Sequence, residues 1–212
     1  MDFLLENILN LIGFVVGLVI GVMSYIGFKN TGSPTLFRLS LAFMSICTGF
    51  FVVWVGYMAE DFVIQSGEIE RWVQTLGIGI QTVGYFFIAF SHSIKSFFPK
   101  SRYFRSVGVI PLFLLSIIQI EHIFRAVSFI LLVYGAIETT LSYFEGKKKG
   151  TIFVAVGLSL LAFGEFLGWY SFVFPESILY YLSISIKIAG LISIFIPVSK
   201  IPLTKIKFDP EA

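Results

Sequence analysis

Two apolar runs near the end of the chain constrain it most. Thr151–Phe174 and Ile178–Val198 are separated only by Pro175-Glu176-Ser177. About 20 apolar residues suffice to cross a bilayer as a helix, so the two runs read as an antiparallel pair of crossings. Glu165 lies near the middle of the first run and Lys187 near the middle of the second. At about 1.5 Å of rise per residue their depths differ by only a few Å. A lone charge at that depth costs at least about 2.5–3.5 kcal/mol on insertion scales. Opposite charges on adjacent helices relieve each other, so the pattern predicts that Glu165 and Lys187 face one another.

The same apolar character fills the 212 residues, of which 57% are hydrophobic and 13% charged. The mean hydropathy is +0.91. That balance predicts an all-α integral membrane protein forming one domain over residues 1–212. Seven transmembrane helices are expected, at 8–28, 36–58, 72–94, 107–120, 123–144, 151–174 and 178–198. An acidic loop over 59–71, a basic loop over 95–105 and a tight polar turn at Glu121-His122 and Arg125 separate the middle spans. Lys29, Arg38, Lys95, Lys100, Arg102, Arg105, Lys147, Lys148, Lys149, Lys200, Lys205 and Lys207 fall on one set of ends, and only Arg71 and Arg125 on the other. The excess of Lys and Arg marks the cytoplasmic side, giving an N-terminus outside and a C-terminus inside. Trp54, Trp72 and Trp169 form an aromatic belt near the outer ends. The expected location is the cytoplasmic membrane of a prokaryote, multi-pass, with the bilayer as the first partner. The glycines at 13, 17 and 21 form a small-residue stripe, read as internal packing or as the face of a homo-oligomer or membrane-protein partner.

A parallel repeat is suggested by short matches in order. Gly49-Phe50 through Trp54 aligns with Gly164-Glu165 through Trp169, Leu76–Gly84 aligns with Leu182–Gly190, and Thr35-Leu36-Phe37 aligns with Thr151-Ile152-Phe153. Two three-helix units joined by the fourth span, a 3+1+3 plan, would follow. In this alignment Lys187 stands where the first unit has Gln81, and Glu165 where it has Phe50. The plan is similar to that of small sugar transporters built from parallel three-helix repeats. A lysine in the middle of the seventh helix also resembles the retinal site of microbial rhodopsins. That resemblance implies retinal on Lys187 as the alternative to no cofactor. Where those proteins carry acids, this chain has Ser183 and Gln74 or Gln81.

Intramembrane ionisable residues are functional candidates by default. Glu165 and Lys187 lead as a ligand-binding or proton-path site, with Glu138, Gln81 and Thr82 as further members. Glu121, His122 and Arg125 are outer-face candidates, with His122 a pH-sensor candidate. The lone Cys47, and histidines without acidic neighbours in a ligand pattern, predict no metal site. No basic, aromatic-studded polar face is present, so nucleic acid is not expected as a partner. Without a nucleophile elbow, phosphate loop or zincin motif the chain reads as a non-enzyme. The leading functional expectation is a membrane-embedded ligand-binding or sensory module acting through a partner. A small-solute or proton-coupled transporter with a midplane Glu/Lys site is the alternative, and a structural subunit of a larger membrane complex the third.

Overall fold

The computed structural model describes residues 2–63, 68–96, 117–146, 149–173 and 177–200. They form six helices: α1 (Asp2–Thr31), α2 (Pro34–Val63), α3 (Glu68–Ser96), α4 (Ile117–Gly146), α5 (Lys149–Val173) and α6 (Ser177–Val198). All six are long and apolar enough to cross a membrane. Val15, Phe51, Val83, Ile130, Phe163 and Leu182 are among the large apolar side chains left on the outside, at least one from every helix. Water would penalise such a surface, whereas lipid does not. The protein is a multi-pass α-helical membrane protein.

Seven spans are not what the described residues contain. The predicted span at 107–120 lies outside them except for Ile117–Ile120, which open α4. The predicted turn at Glu121, His122 and Arg125 is not a turn, because α4 runs through it unbroken. Charge lowers hydropathy without breaking a helix, and a Glu–Arg pair four residues apart favours one. The acidic loop shrinks for the same reason. α2 runs on to Val63 and α3 begins at Glu68, so only 64–67 separate them, and these lie outside the described residues. Polarity at those positions marks the end of the apolar window rather than the end of the helix.

Each helix packs on the next in sequence, and α6 closes on α1, making a ring of six. The turn between α1 and α2 is built locally. Gly32 takes a left-handed φ of 67°, and its N–H donates to Phe28 O at 2.7 Å. That is the C-terminal cap glycine suits, and Pro34 then opens α2 where no N–H partner is needed. The stripe of Gly13, Gly17 and Gly21 faces α2, against Phe50, Cys47 and Met44. It therefore serves packing inside the chain and is not a free oligomer face. Consecutive helices run antiparallel, except that α3 and α4 share a direction: Gly79 meets Phe124 and Thr82 meets Ser128. The last turn of α3 and the first turn of α4 thus lie at opposite ends of the bundle.

The two halves of the ring, α1–α3 and α4–α6, repeat several contacts. A Cβ on Gly49 would meet Gln81 Cγ, Gly77 O and Gln81 N; one on Gly164 would meet Lys187 Cγ, Ser183 O and Lys187 N. Gly84 lies against Ile46 and Ala42 O, and Gly190 against Leu161 and Gly157 O. Phe14 and Phe51 have ring centroids 5.1 Å apart at 42°, and Phe129 and Phe166 5.8 Å apart at 44°. Every pair fits one rule: add 115 in α1 and α2, and 106 in α3. The match of Thr35 to Thr151 is one residue out of this register. The halves meet across an axis at which equivalent residues touch. Gln74 Nε2 donates to the Tyr180 hydroxyl at 2.8 Å, and Lys187 Nζ to Gln81 Oε1 at 3.4 Å. The interior on the lysine-rich side of this axis is apolar, with Phe43, Ile46, Leu132, Leu158, Leu191 and Ile194 buried together.

Candidate functional site

Glu165 is the centre of the polar interior. Gly164 and Gly168 flank it on α5, and each removes a side chain where a long one must pass. A Cβ on Gly164 would sit 2.5 Å from Lys187 Cγ, and one on Gly168 would overlap Arg125 Nη1. Ser183 holds the α5–α6 contact closed, its hydroxyl donating to Gly164 O at 2.8 Å. Across these glycines the two cations reach the carboxylate. Lys187 Nζ donates to Glu165 Oε1 at 3.1 Å, and Arg125 Nη1 lies 3.7 Å from Oε2. The Tyr85 hydroxyl donates to Oε1 at 3.1 Å. Arg125 is anchored in turn by Glu121 on its own helix, donating through Nε at 3.1 Å and Nη2 at 3.0 Å. Lys187 Nζ also stands 5.7 Å from the centroid of the Phe50 ring.

Burial makes the cluster costly unless it is balanced. Glu165 is 0% exposed, Arg125 2%, and Glu121 and Lys187 4% each. Two carboxylates face two cations, so the formal charge cancels, as buried ions require. Glu165 Oε1 is well supplied with donors. Glu165 Oε2 is not: among the described residues it has no hydrogen-bond partner, and its ion pair with Arg125 is longer than a hydrogen bond.

The sequence candidates divide clearly. Glu165, Lys187 and Gln81 come together. Glu121 and Arg125, expected as a solvated outer turn, are part of the same buried cluster. His122 is not: it accepts from Trp169 Nε1 at 3.1 Å in an exposed pair. Thr82 lies nearby at the α3–α4 contact, its hydroxyl donating to Ile78 O at 2.8 Å and standing 2.9 Å from Ser128 Oγ. Glu138 is half-buried, some 13 residues along α4 from Arg125 and on the far side of Leu132, so it does not join. Tyr85 was not expected. Nor was a second polar group near the start of α1, where Glu6, Tyr57 and Tyr180 hydrogen-bond one another. Its signal was present in the sequence: Glu6-Asn7-Ile8 and Phe14 match Glu121-His122-Ile123 and Phe129 at the same spacing of 115. No group of three metal-ligating side chains occurs among the described residues.

No protein-family model matches the chain, nor does any curated protein or solved structure.

The two halves differ at this site, and three of the four exchanges bring in a charge. Under the repeat, Asn10 stands for Arg125, Phe50 for Glu165, Gln81 for Lys187, and Leu191 for Tyr85. Only the acid at the helix start is shared, Glu6 with Glu121. Sequence matching alone found two of these exchanges; Arg125 and Tyr85 required the packing.

Proposed function

We propose that the protein is a small-solute or proton-coupled transporter whose two three-helix halves move against each other about the Glu165 cluster. One observation carries this reading: the only balanced set of two acids and two bases among the described buried residues lies on α4–α6, where that half meets Tyr85 and Gln81 of the other. Parallel repeats are a transporter architecture, with the site near the midplane between them. The proposal places the protein in a cytoplasmic membrane with its N-terminus outside, since Lys29, Arg38, Lys95, Lys149 and Lys200 gather at one end of the bundle. The test is flux in proteoliposomes. Wild-type protein should carry protons or a small solute down an imposed gradient, and Lys187→Met and Glu165→Gln should abolish that flux while circular dichroism stays unchanged. Unchanged flux in both variants overturns the reading.

A ligand-sensing module acting through a partner is the second reading. It is favoured by the closure of the cluster together with a lipid-facing groove of 490 Å³ between α4 and α5, lined by Tyr143, Phe144, Ile152 and Phe163 among others. Absence of any flux, with a ligand that shifts thermal stability, selects it.

A further inference from the structure

Tyr85, Arg125 and Lys187 come from three different helices, α3, α4 and α6, and converge on a single carboxylate supplied by a fourth, α5. Seen from the carboxylate, this is a receptor: an ammonium and a phenol on one oxygen, a guanidinium on the other. Arg and Lys aimed at the two oxygens are what recognition of a free carboxylate uses. The chain's own Glu165 occupies the receptor, and it does so imperfectly, because Oε2 sits at ion-pair distance without a hydrogen bond. The receptor exists once in the repeat. The positions equivalent to its four members hold the uncharged Asn10, Phe50 and Gln81 on α1–α3 and Leu191 on α6. A staple between helices requires two charges; three donors from three helices meeting on one carboxylate, with none of the four repeated at the equivalent positions, point to a site.

We propose that the receptor formed by Tyr85, Arg125 and Lys187 binds a small monocarboxylate, for which the side chain of Glu165 is the built-in competitor. Displacement is coupled to a proton by charge balance. With Glu165 ionised the cluster is neutral, because Glu121 balances Arg125 and Glu165 balances Lys187. When Glu165 takes a proton the cluster carries one net positive charge, and one monoanion restores neutrality. The groups that face Glu165 are Lys187 from α6, Tyr85 and Gln81 from α3 and Arg125 from α4. Phe50 of α2 covers Lys187. Glu121 and His122 lie behind Arg125, and Glu6 of α1 lies farther out on Tyr57 and Tyr180. A cation as ligand would need Lys187 to surrender both its proton and its place.

The inference rests on the transport reading for its flux arm alone. Binding of [14C]formate and [14C]acetate to protein in nanodiscs is measured between pH 5.5 and 7.5, with ammonium and glycerol as controls. Wild type should bind the carboxylates with an affinity that weakens up to about tenfold per pH unit, as linkage to one proton requires. Glu165→Gln carries no removable charge, so it should bind them at every pH with that slope lost. Lys187→Met should lose binding. Lys187→Arg, which keeps the charge should the methionine variant not fold, should retain at least part of it. Carboxylate binding without flux in proteoliposomes keeps the receptor and overturns transport. Flux of protons, ammonium or glycerol with no carboxylate binding keeps transport and overturns the receptor. Absence of carboxylate binding in both wild type and Glu165→Gln also overturns it.

Discussion

The pairing of Glu165 with Lys187 makes a sharp prediction for a double-mutant cycle. The two side chains are 3.1 Å apart and at most 5% exposed. Removing one partner of a buried pair costs about 3–5 kcal/mol, because the other charge is left without compensation. Lys187→Met leaves Glu165 with Arg125 at 3.7 Å and the Tyr85 hydroxyl at 3.1 Å, which puts its cost near the lower end, about 3 kcal/mol. Glu165→Gln leaves Lys187 facing only the Gln81 amide and the Phe50 ring, and should cost more, about 4 kcal/mol. The double variant removes both charges and leaves Arg125 balanced by Glu121, so it should lie within about 1–2 kcal/mol of wild type. Unfolding in mixed micelles titrated with dodecyl sulfate, followed by circular dichroism, gives all four corners. Independent sites add to within about 0.3–0.5 kcal/mol. A double variant whose cost equals the sum of the singles to that precision refutes the pairing. Single variants at least as stable as wild type would instead show that the charges are held against stability, as a working site holds them.

Other predictions test the frame around the site. Gly168→Ala should displace Arg125 and cost about 1–3 kcal/mol, and the same change made in an Arg125→Met background should cost less in the same unfolding assay, because no guanidinium is left for the methyl to displace. Gly84→Ala and Gly190→Ala press a methyl on Ala42 O at 2.7 Å and on Gly157 O at 2.8 Å. Being equivalent, they should destabilise alike, by about 1–3 kcal/mol each, and a difference of several kcal/mol would contradict the repeat. Cys47 is 2% exposed and packs against Gly17, so a membrane-permeant maleimide should label it only after denaturation; rapid labelling of native protein would contradict the α1–α2 packing.

Helices and their membrane character were legible because both follow from apolar run length, a property of the chain itself. The Glu165–Lys187 contact was legible too, since depth is counted along a helix and adjacency follows from the short Pro175–Ser177 connection. Arg125 was misread because hydropathy treats a polar residue as an exit from the membrane, and nothing in a one-dimensional profile separates an exit from a buried ion pair four residues apart. The exchange of Asn10 for Arg125 resolves the ambiguity only once α1 is aligned with α4. Tyr85 was illegible for another reason. Rotation of a helix about its own axis decides whether such a residue faces the centre, and in α3 that rotation is set by Gly77 and Gly84 packing on α2.

Lys187 and Gln81 occupy the same position in the two halves and touch across the axis that relates them. A pair of identical three-helix chains with lysine there would set two ammonium groups against each other near the axis in a low-dielectric interior, which is unfavourable. Glutamine faces its copy without penalty, because an amide both donates and accepts. Covalent joining of the halves removes the obligation to be identical. A charge can then be introduced on one side and answered by a neutral acceptor on the other. Lysine facing glutamine across that axis is thus an asymmetry that a single continuous chain can carry and a dimer of identical halves cannot.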